Sequence, residues 1–578
     1  MKDEEACGRE WTIPQPKAAF LFILLPSSFI LSPMPLPRGL CLLLLFSLAI
    51  PMARSAPPPP VAEAIRAEAV RKNHDPEGRP LPLVAHWHRM SCPLSFQIEL
   101  IEQGHHLLPW ISTPMPTPGR KMGKGLGAGD EEGLKQLAEW KLPFAVVTGG
   151  QWEASLYDSN ERWRSLPPEQ SPLVWLRQPV GEKLTGKLLS PFGAVEPWRE
   201  VGRYWMESPG MKQIQELYPD PPLALIISNN ESGRERWHQV QDLDQRYVAA
   251  YGLERDDNFK RKVTGDGWME RYGAMIAAMR VSLTTDAWKK NSRFIAYNAM
   301  GPNHFGREVG WMKYALTTED RVDPSPLTWE GAVPEYYDNG WQQAKSVFNV
   351  FSSQVETMNY IFQKAEVDKQ NPDFWFELIF WDGNLAGGKG AEKDRYKSYA
   401  EIGFPSTPAR YQGWVQYGMW LTVPRVAREW RSSADSRERW WDYFSRIIDA
   451  VDRVHTVPVL TRFWRKGELV PNRAHPHPFD KEVPEKWKNA DRWFSLDTNL
   501  DPPRPWELTT RLPIFSLARV IGEAPKREWL LYAHAPMGDK AGVEITIPEY
   551  RKVTVDVSLG GSFYRIKEVD GSVASVGK

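Results

Sequence analysis

The 578-residue chain has three cysteines, Cys7, Cys41 and Cys92, too few for a disulfide framework. The first two fall in an N-terminal leader, so a processed chain would keep Cys92 alone and have no internal disulfide. Net charge is also missing, since Lys+Arg and Asp+Glu both number 72. That balance removes any global pull toward nucleic acid or anionic lipid, and no nucleic-acid partner is expected. No apolar run reaches the roughly 20 residues that a helix needs to cross a bilayer. There is no internal repeat of fixed period, and the one biased segment is the proline stretch Pro57 to Pro60. What remains, 42% hydrophobic residues with 50 prolines and 27 tryptophans, describes a globular protein.

From Met34 the order is Arg38, the apolar stretch Leu40 to Ile50, then Ala53-Arg54-Ser55-Ala56. Charged, apolar and small residues in that order make a secretory signal. Residues 1–56 are therefore expected to be a leader, cleaved near Ser55 or Ala56, with Met34 as an alternative start. An earlier apolar run, Phe20 to Leu31, is broken by Pro26. A retained anchor is the competing reading. The signal-length core and the helix-breaking prolines after it favour export to a secreted or periplasmic location, with no stable membrane insertion after cleavage.

Beyond a Pro-rich linker and short helix over residues 57–80, short β-rich runs alternate with longer amphipathic segments. Strands are expected at Leu81 to Trp87, Leu107 to Ile111, Phe144 to Thr148, Leu223 to Ile227, Phe294 to Asn298, Leu327 to Val333, Phe374 to Phe380 and Trp414 to Trp420. Helical patterns fall between them, as at Gly133 to Trp140, Met211 to Leu217, Tyr272 to Thr284 and Trp341 to Lys364. Eight such units close a (β/α)8 TIM barrel, placed over residues 81–455 and ended by an amphipathic helix at Trp440 to Val454. A connecting layer over 456–528 follows. Short β-branched runs from Trp529 onward read as a small C-terminal antiparallel β domain over 529–578.

Two expected strands carry glutamates in polar or aromatic company. The fourth runs Leu225-Ile226-Ile227-Ser228-Asn229-Asn230-Glu231, and the seventh runs Phe374-Trp375-Phe376-Glu377-Leu378-Ile379-Phe380-Trp381-Asp382. The C-terminal strand ends of a parallel barrel converge on one mouth, so carboxylates distant in sequence can face each other across a substrate. Such a pair suits glycoside hydrolysis, in which an acid protonates the leaving oxygen and a carboxylate meets the charge developing at the sugar carbon. A gap of roughly 5 Å retains configuration, and one of about 6.5–9.5 Å admits a water and inverts it.

In these motifs the chain resembles the clan A retaining glycoside hydrolases, whose (β/α)8 barrels carry Asn-Glu after strand four and a second Glu at strand seven. The resemblance implies Glu231 as acid/base, Glu377 as nucleophile and Asn230 as donor to the sugar 2-hydroxyl. It also implies a tyrosine after strand six that orients the nucleophile, Tyr336 or Tyr337, and a tryptophan at strand eight beneath the sugar, Trp414. The arginine common at strand two of these enzymes is not evident. The implied substrate is a β-linked polysaccharide or oligosaccharide, and no cofactor is needed.

Glu330 and Glu335 are rival nucleophiles. Trp381, His86, His88, Trp152 and Asn298 are further candidates for substrate contact, since they lie at or after strand ends. Ordinary structural roles compete with each: Ser and Asn beside Glu231 are helix-capping residues, and His86 and His88 fit equally well in a core. A carboxylate at 377 among aromatic residues needs a partner or a purpose. Gly383 to Gly390 resembles a phosphate-binding loop, but Gly390 stands where Ser or Thr would hold magnesium. His105-His106 and His475-Pro476-His477 lack a companion ligand set, so no metal site is expected. Asn230-Glu231-Ser232 fits a glycosylation sequon. An inverting hydrolase on the same barrel and a non-catalytic carbohydrate-binding protein are the alternative functions.

Overall fold

The computed structural model describes residues 57–578 apart from 88–91, 114–124, 149–155, 157–160, 178–182, 229–236, 297–302, 305–306, 309–327, 338–363, 365–366, 369–370, 382–406, 431–436, 471–496, 499–513 and 578. The chain divides into residues 1–56 and 57–578, and the second unit holds every described residue. The leader, the glycine-rich stretch from Gly383, the His475–His477 pair and nearly all of the helix expected at 341–364 lie outside the described residues.

Eight strands form the ring: β1 Leu83–His86, β2 Trp110–Thr113, β3 Phe144–Thr148, β4 Ala224–Ser228, β5 Ser292–Ala296, β6 in two pieces at Gly331–Ala332 and Glu335–Tyr337, β7 Trp375–Trp381 and β8 Val426–Glu429. Each pairs in parallel with its neighbour from β2 round to β8, and β8 pairs with β1. A single parallel bridge, Val84 to Leu107, joins β1 to the segment leading into β2. Followed around the sheet, these registers return to β1 displaced by about eight residues, the stagger of a (β/α)8 barrel. Strands such as Ala224–Ser228 are buried at every position, which explains their continuous apolar runs.

Beyond that backbone bridge, the seam between β1 and β2 is completed by a side chain. Gln97, on helix α2 (Leu94–Glu102), is buried. Its Oε1 accepts from the Trp110 backbone N–H at 2.8 Å, and its Nε2 donates to the carbonyls of Trp110 at 3.0 Å and Cys92 at 2.9 Å. One amide thus serves the backbone groups of β2 that a longer β1 would pair.

The N-terminal end of the barrel is covered. Helix α1 (Pro60–Val70) lends Glu68 to the backbone N–H of Leu81. Asn73 bridges the Phe374 carbonyl and the Arg425 Nε, and the Arg425 guanidinium lies 4.7 Å from the centre of the Trp375 ring. The opposite, C-terminal end is the mouth.

The eighth strand corrects the sequence reading. Trp414 to Trp420 belongs to helix α7 (Pro408–Thr422), opened by a Thr407 cap that accepts from Arg410 N and by Pro408 in the first turn. The run misleads because α7 is buried on every side, from Gly413 through Thr422 without interruption, so it shows no amphipathic period. The true β8 is Val426-Ala427-Arg428-Glu429, four residues with two charges, both buried. Helix α8 (Arg437–Thr456) follows, with Trp440, Phe444, Ile447, Ile448, Val451 and Val454 buried at helical spacing.

The C-terminal β layer is larger than the segment from Trp529. Phe515–Ile521 (β9) pairs antiparallel with Glu528–His534 (β10), which pairs with Ser562–Lys567 (β11). A second sheet pairs Lys540–Thr546 with Lys552–Val557. Helix α7 seals this layer to the barrel: Trp414 meets Phe515 at 5.5 Å, and the Tyr532 hydroxyl donates to the Gly413 carbonyl at 2.5 Å.

Candidate active site

Alternation divides each strand into an outward and an inward row. On β7 the outward row contains Phe380, which meets Tyr336 at 5.5 Å, and Tyr336 stacks on Trp414 of α7 at 4.7 Å. On β8 it contains Glu429, within 3.5 Å of the Tyr411 hydroxyl of α7. On β1 it contains His86, packed against Trp440 and Phe444 of α8. Glu377, Ile379 and Trp381 on β7, Arg428 on β8 and Ala85 on β1 therefore face the barrel interior.

This division removes three expected contact residues from the mouth. Tyr336 lies between barrel and helix, completely buried, and cannot orient a nucleophile inside. Trp414 sits on the same outer layer. His86 is buried there too, with its Nε2 3.9 Å from Glu429 Oε2.

Glu377 does face inward, but deep. It pairs in register with Val426, and Val426 with Leu83, the first residues of β8 and β1. Four residues separate it from Trp381 at the strand's end, about 13 Å of extended chain. The carboxylate is 0% exposed and both of its oxygens are engaged. Trp375 Nε1 donates to Oε1 at 2.8 Å, and Arg428 Nε donates to Oε2 at 2.7 Å. The Arg428 Nη1 continues to the His86 carbonyl at 3.0 Å. The partner that the aromatic surroundings of Glu377 demand is thus Arg428, which sequence reasoning missed with β8. Glu377, expected as the nucleophile, thus stands in the structure as the buried ion-pair partner of Arg428, near the N-terminal end of its strand.

The mouth itself is edged by other residues. Glu335 pairs with Ile379 and Tyr337 with Trp381, so positions 335 and 337 belong to the inward row, nearer the mouth than Glu377. Trp381 is 2% and Trp87 5% exposed. Trp430, partly exposed, meets Trp381 edge-on at 4.8 Å. Backbone bonds from Trp87 N to the Glu429 carbonyl and from Trp430 N to the Phe380 carbonyl, both 2.8 Å, extend the ladder to these residues. Three adjacent strands, β7, β8 and β1, therefore each end in an inward-row tryptophan. Trp430 was invisible as a site residue because its strand was placed elsewhere. Glu231, Asn230, His88, Trp152 and Asn298 lie outside the described residues, as do the side chains of Glu335 and Tyr337.

The fold is thus that of a (β/α)8-barrel protein with a C-terminal β domain, closed at one end and carrying aromatic residues at the rim of the other. No family model matches the chain, and no curated protein matches it in sequence. Among solved structures it is similar to a GH36 alpha-galactosidase from Geobacillus stearothermophilus in complex with raffinose, with a TM-score of 0.32 and 10% identity, over 82% of this chain and 50% of the other. The chain spans about half the length of that protein.

Proposed function

We propose that this protein is a glycoside hydrolase acting on an oligosaccharide or polysaccharide at the C-terminal mouth of its barrel. The observation that carries the reading is the rim itself, where β1, β8 and β7 end in the tryptophans Trp87, Trp430 and Trp381, Trp430 partly exposed and in edge-on contact with the buried Trp381, beside positions 335 and 337 of β6. Sugar C–H faces pack on indole rings as other apolar surfaces do. Carboxylates flanking that wall supply the acid and its partner. Glu231, three residues beyond the end of β4, is proposed as the acid/base with Asn230 beside it. Glu335, the rival nucleophile on β6, takes the role from which burial removes Glu377. A double displacement with retention, and export through the leader, complete the proposal.

The test is turnover by the mature protein on a panel of plant, microbial and algal glycans, read by reducing-end release, with NMR of the first-formed anomer. Glu231→Gln and Glu335→Gln should each abolish release while the protein stays folded. Glycan binding with no release by the unmutated protein would establish the carbohydrate-binding alternative instead. An inverted first product would overturn the double displacement.

A further inference from the structure

Arg428 lies on the inward row of β8, two residues before Trp430, and is 0% exposed. Its Nε and Nη1 are engaged by Glu377 and the His86 carbonyl. Among the described residues, the third nitrogen, Nη2, is buried without an acceptor. Buried N–H groups in folded proteins nearly always have a partner, so an orphan on the inward row beneath an aromatic rim is a donor held in readiness. Its charge is already balanced, since the Glu377 carboxylate stands 2.7 Å away. A further anion would leave an uncompensated buried negative charge, whereas a neutral hydroxyl or ring oxygen can accept the bond at no such cost.

We infer that Arg428 is a specificity-determining residue: its Nη2 donates to an uncharged oxygen of the deepest sugar ring, so that the mouth selects neutral hexosyl units over uronic acids. Glu377 is its positioning residue. It holds the guanidinium in place through Nε and cancels its charge. This inference rests on the proposed hydrolase reading.

The experiment uses the mature chain with matched p-nitrophenyl hexosides and hexuronides, in both anomeric series, measuring kcat and KM with calorimetric binding in parallel. The unmutated protein should favour hexosides. Arg428→Lys keeps a cation for Glu377 but loses the guanidinium fork, and should raise the hexoside KM about ten- to a hundredfold with a smaller change in kcat. If that variant does not fold, Glu377→Gln carries the test. It leaves Arg428 positively charged, and should raise the hexuronide-to-hexoside ratio of kcat/KM at least tenfold. A purely structural ion pair would lower stability and leave that ratio unmoved, and this result, or a preference of the unmutated protein for uronides, overturns the inference while the hydrolase reading stands. No turnover, with hexoside binding that Arg428→Lys weakens, overturns the hydrolase reading and leaves the assignment. Neither turnover nor binding overturns both.

Discussion

Replacing Glu377 with glutamine tests whether the seventh-strand carboxylate is part of the core or part of the reaction. The amide keeps the volume and one acceptor for Arg428 Nε, but leaves a guanidinium that is 0% exposed without its counter-charge. Breaking a buried ion pair by removing one partner costs roughly 3–5 kcal/mol, and the retained acceptor argues for the lower end, about 3 kcal/mol. A unit of this length has an unfolding entropy near about 1 kcal/mol/K, so the melting temperature should fall by about 3 °C. Urea unfolding gives the free energy directly. In a double-mutant cycle with Arg428→Met, the second substitution should recover part of the loss, because it removes the stranded cation. Turnover per folded molecule should survive within about an order of magnitude, with the change lying mainly in KM. Loss of nearly all turnover with unchanged stability would refute the reasoning and return Glu377 to the nucleophile role.

Stability should fall between pH 7 and pH 5. Burial, and then the neighbouring His106, push His455 down to about 3; burial, and then Arg410, push His534 down to about 3. The unfolded chain takes up these protons near pH 6.5 and the folded one does not, so the stability present above 6.5 is lost as pH drops, about 2 kcal/mol for each histidine by pH 5. His105 works oppositely, since its hydrogen bond to Asp452 raises its pKa, and it offsets part of the loss. Asp452 is carried to about 2, its burial outweighed by hydrogen bonds from His105 and His106, and it adds destabilisation only below about pH 4. Urea unfolding at pH 5, 6 and 7 measures the slope, and a flat profile contradicts this account. Gln97→Leu should destabilise by about 2–4 kcal/mol, because it strands backbone groups of Trp110 and Cys92; a neutral result by calorimetry would mean that β1 re-pairs with β2. At Gly418 an added Cβ would stand 2.6 Å from Tyr336 Cε1, so Gly418→Ala should lower the melting temperature despite alanine's better helix propensity.

The sequence by itself located seven of the eight barrel strands, the second and sixth only in part, because parallel strands buried on both faces must be apolar throughout, and Phe144–Thr148 was legible to the residue. It also marked 377 as a carboxylate in need of a partner. Only tertiary structure supplied that partner, since Arg428 and Glu377 meet across neighbouring strands 51 residues apart. Tertiary structure also decided that Trp414 to Trp420 is a helix. A segment enclosed between two layers loses the one-sided pattern by which helices are read, and the charged tetrapeptide that forms the real β8 looks like surface until its charges are seen to be buried. Inward or outward direction was likewise undecidable from alternation alone, which gives two rows but not which one faces the barrel axis. That single choice moved Tyr336 and His86 out of the mouth and placed Arg428 and Trp430 on its inward row.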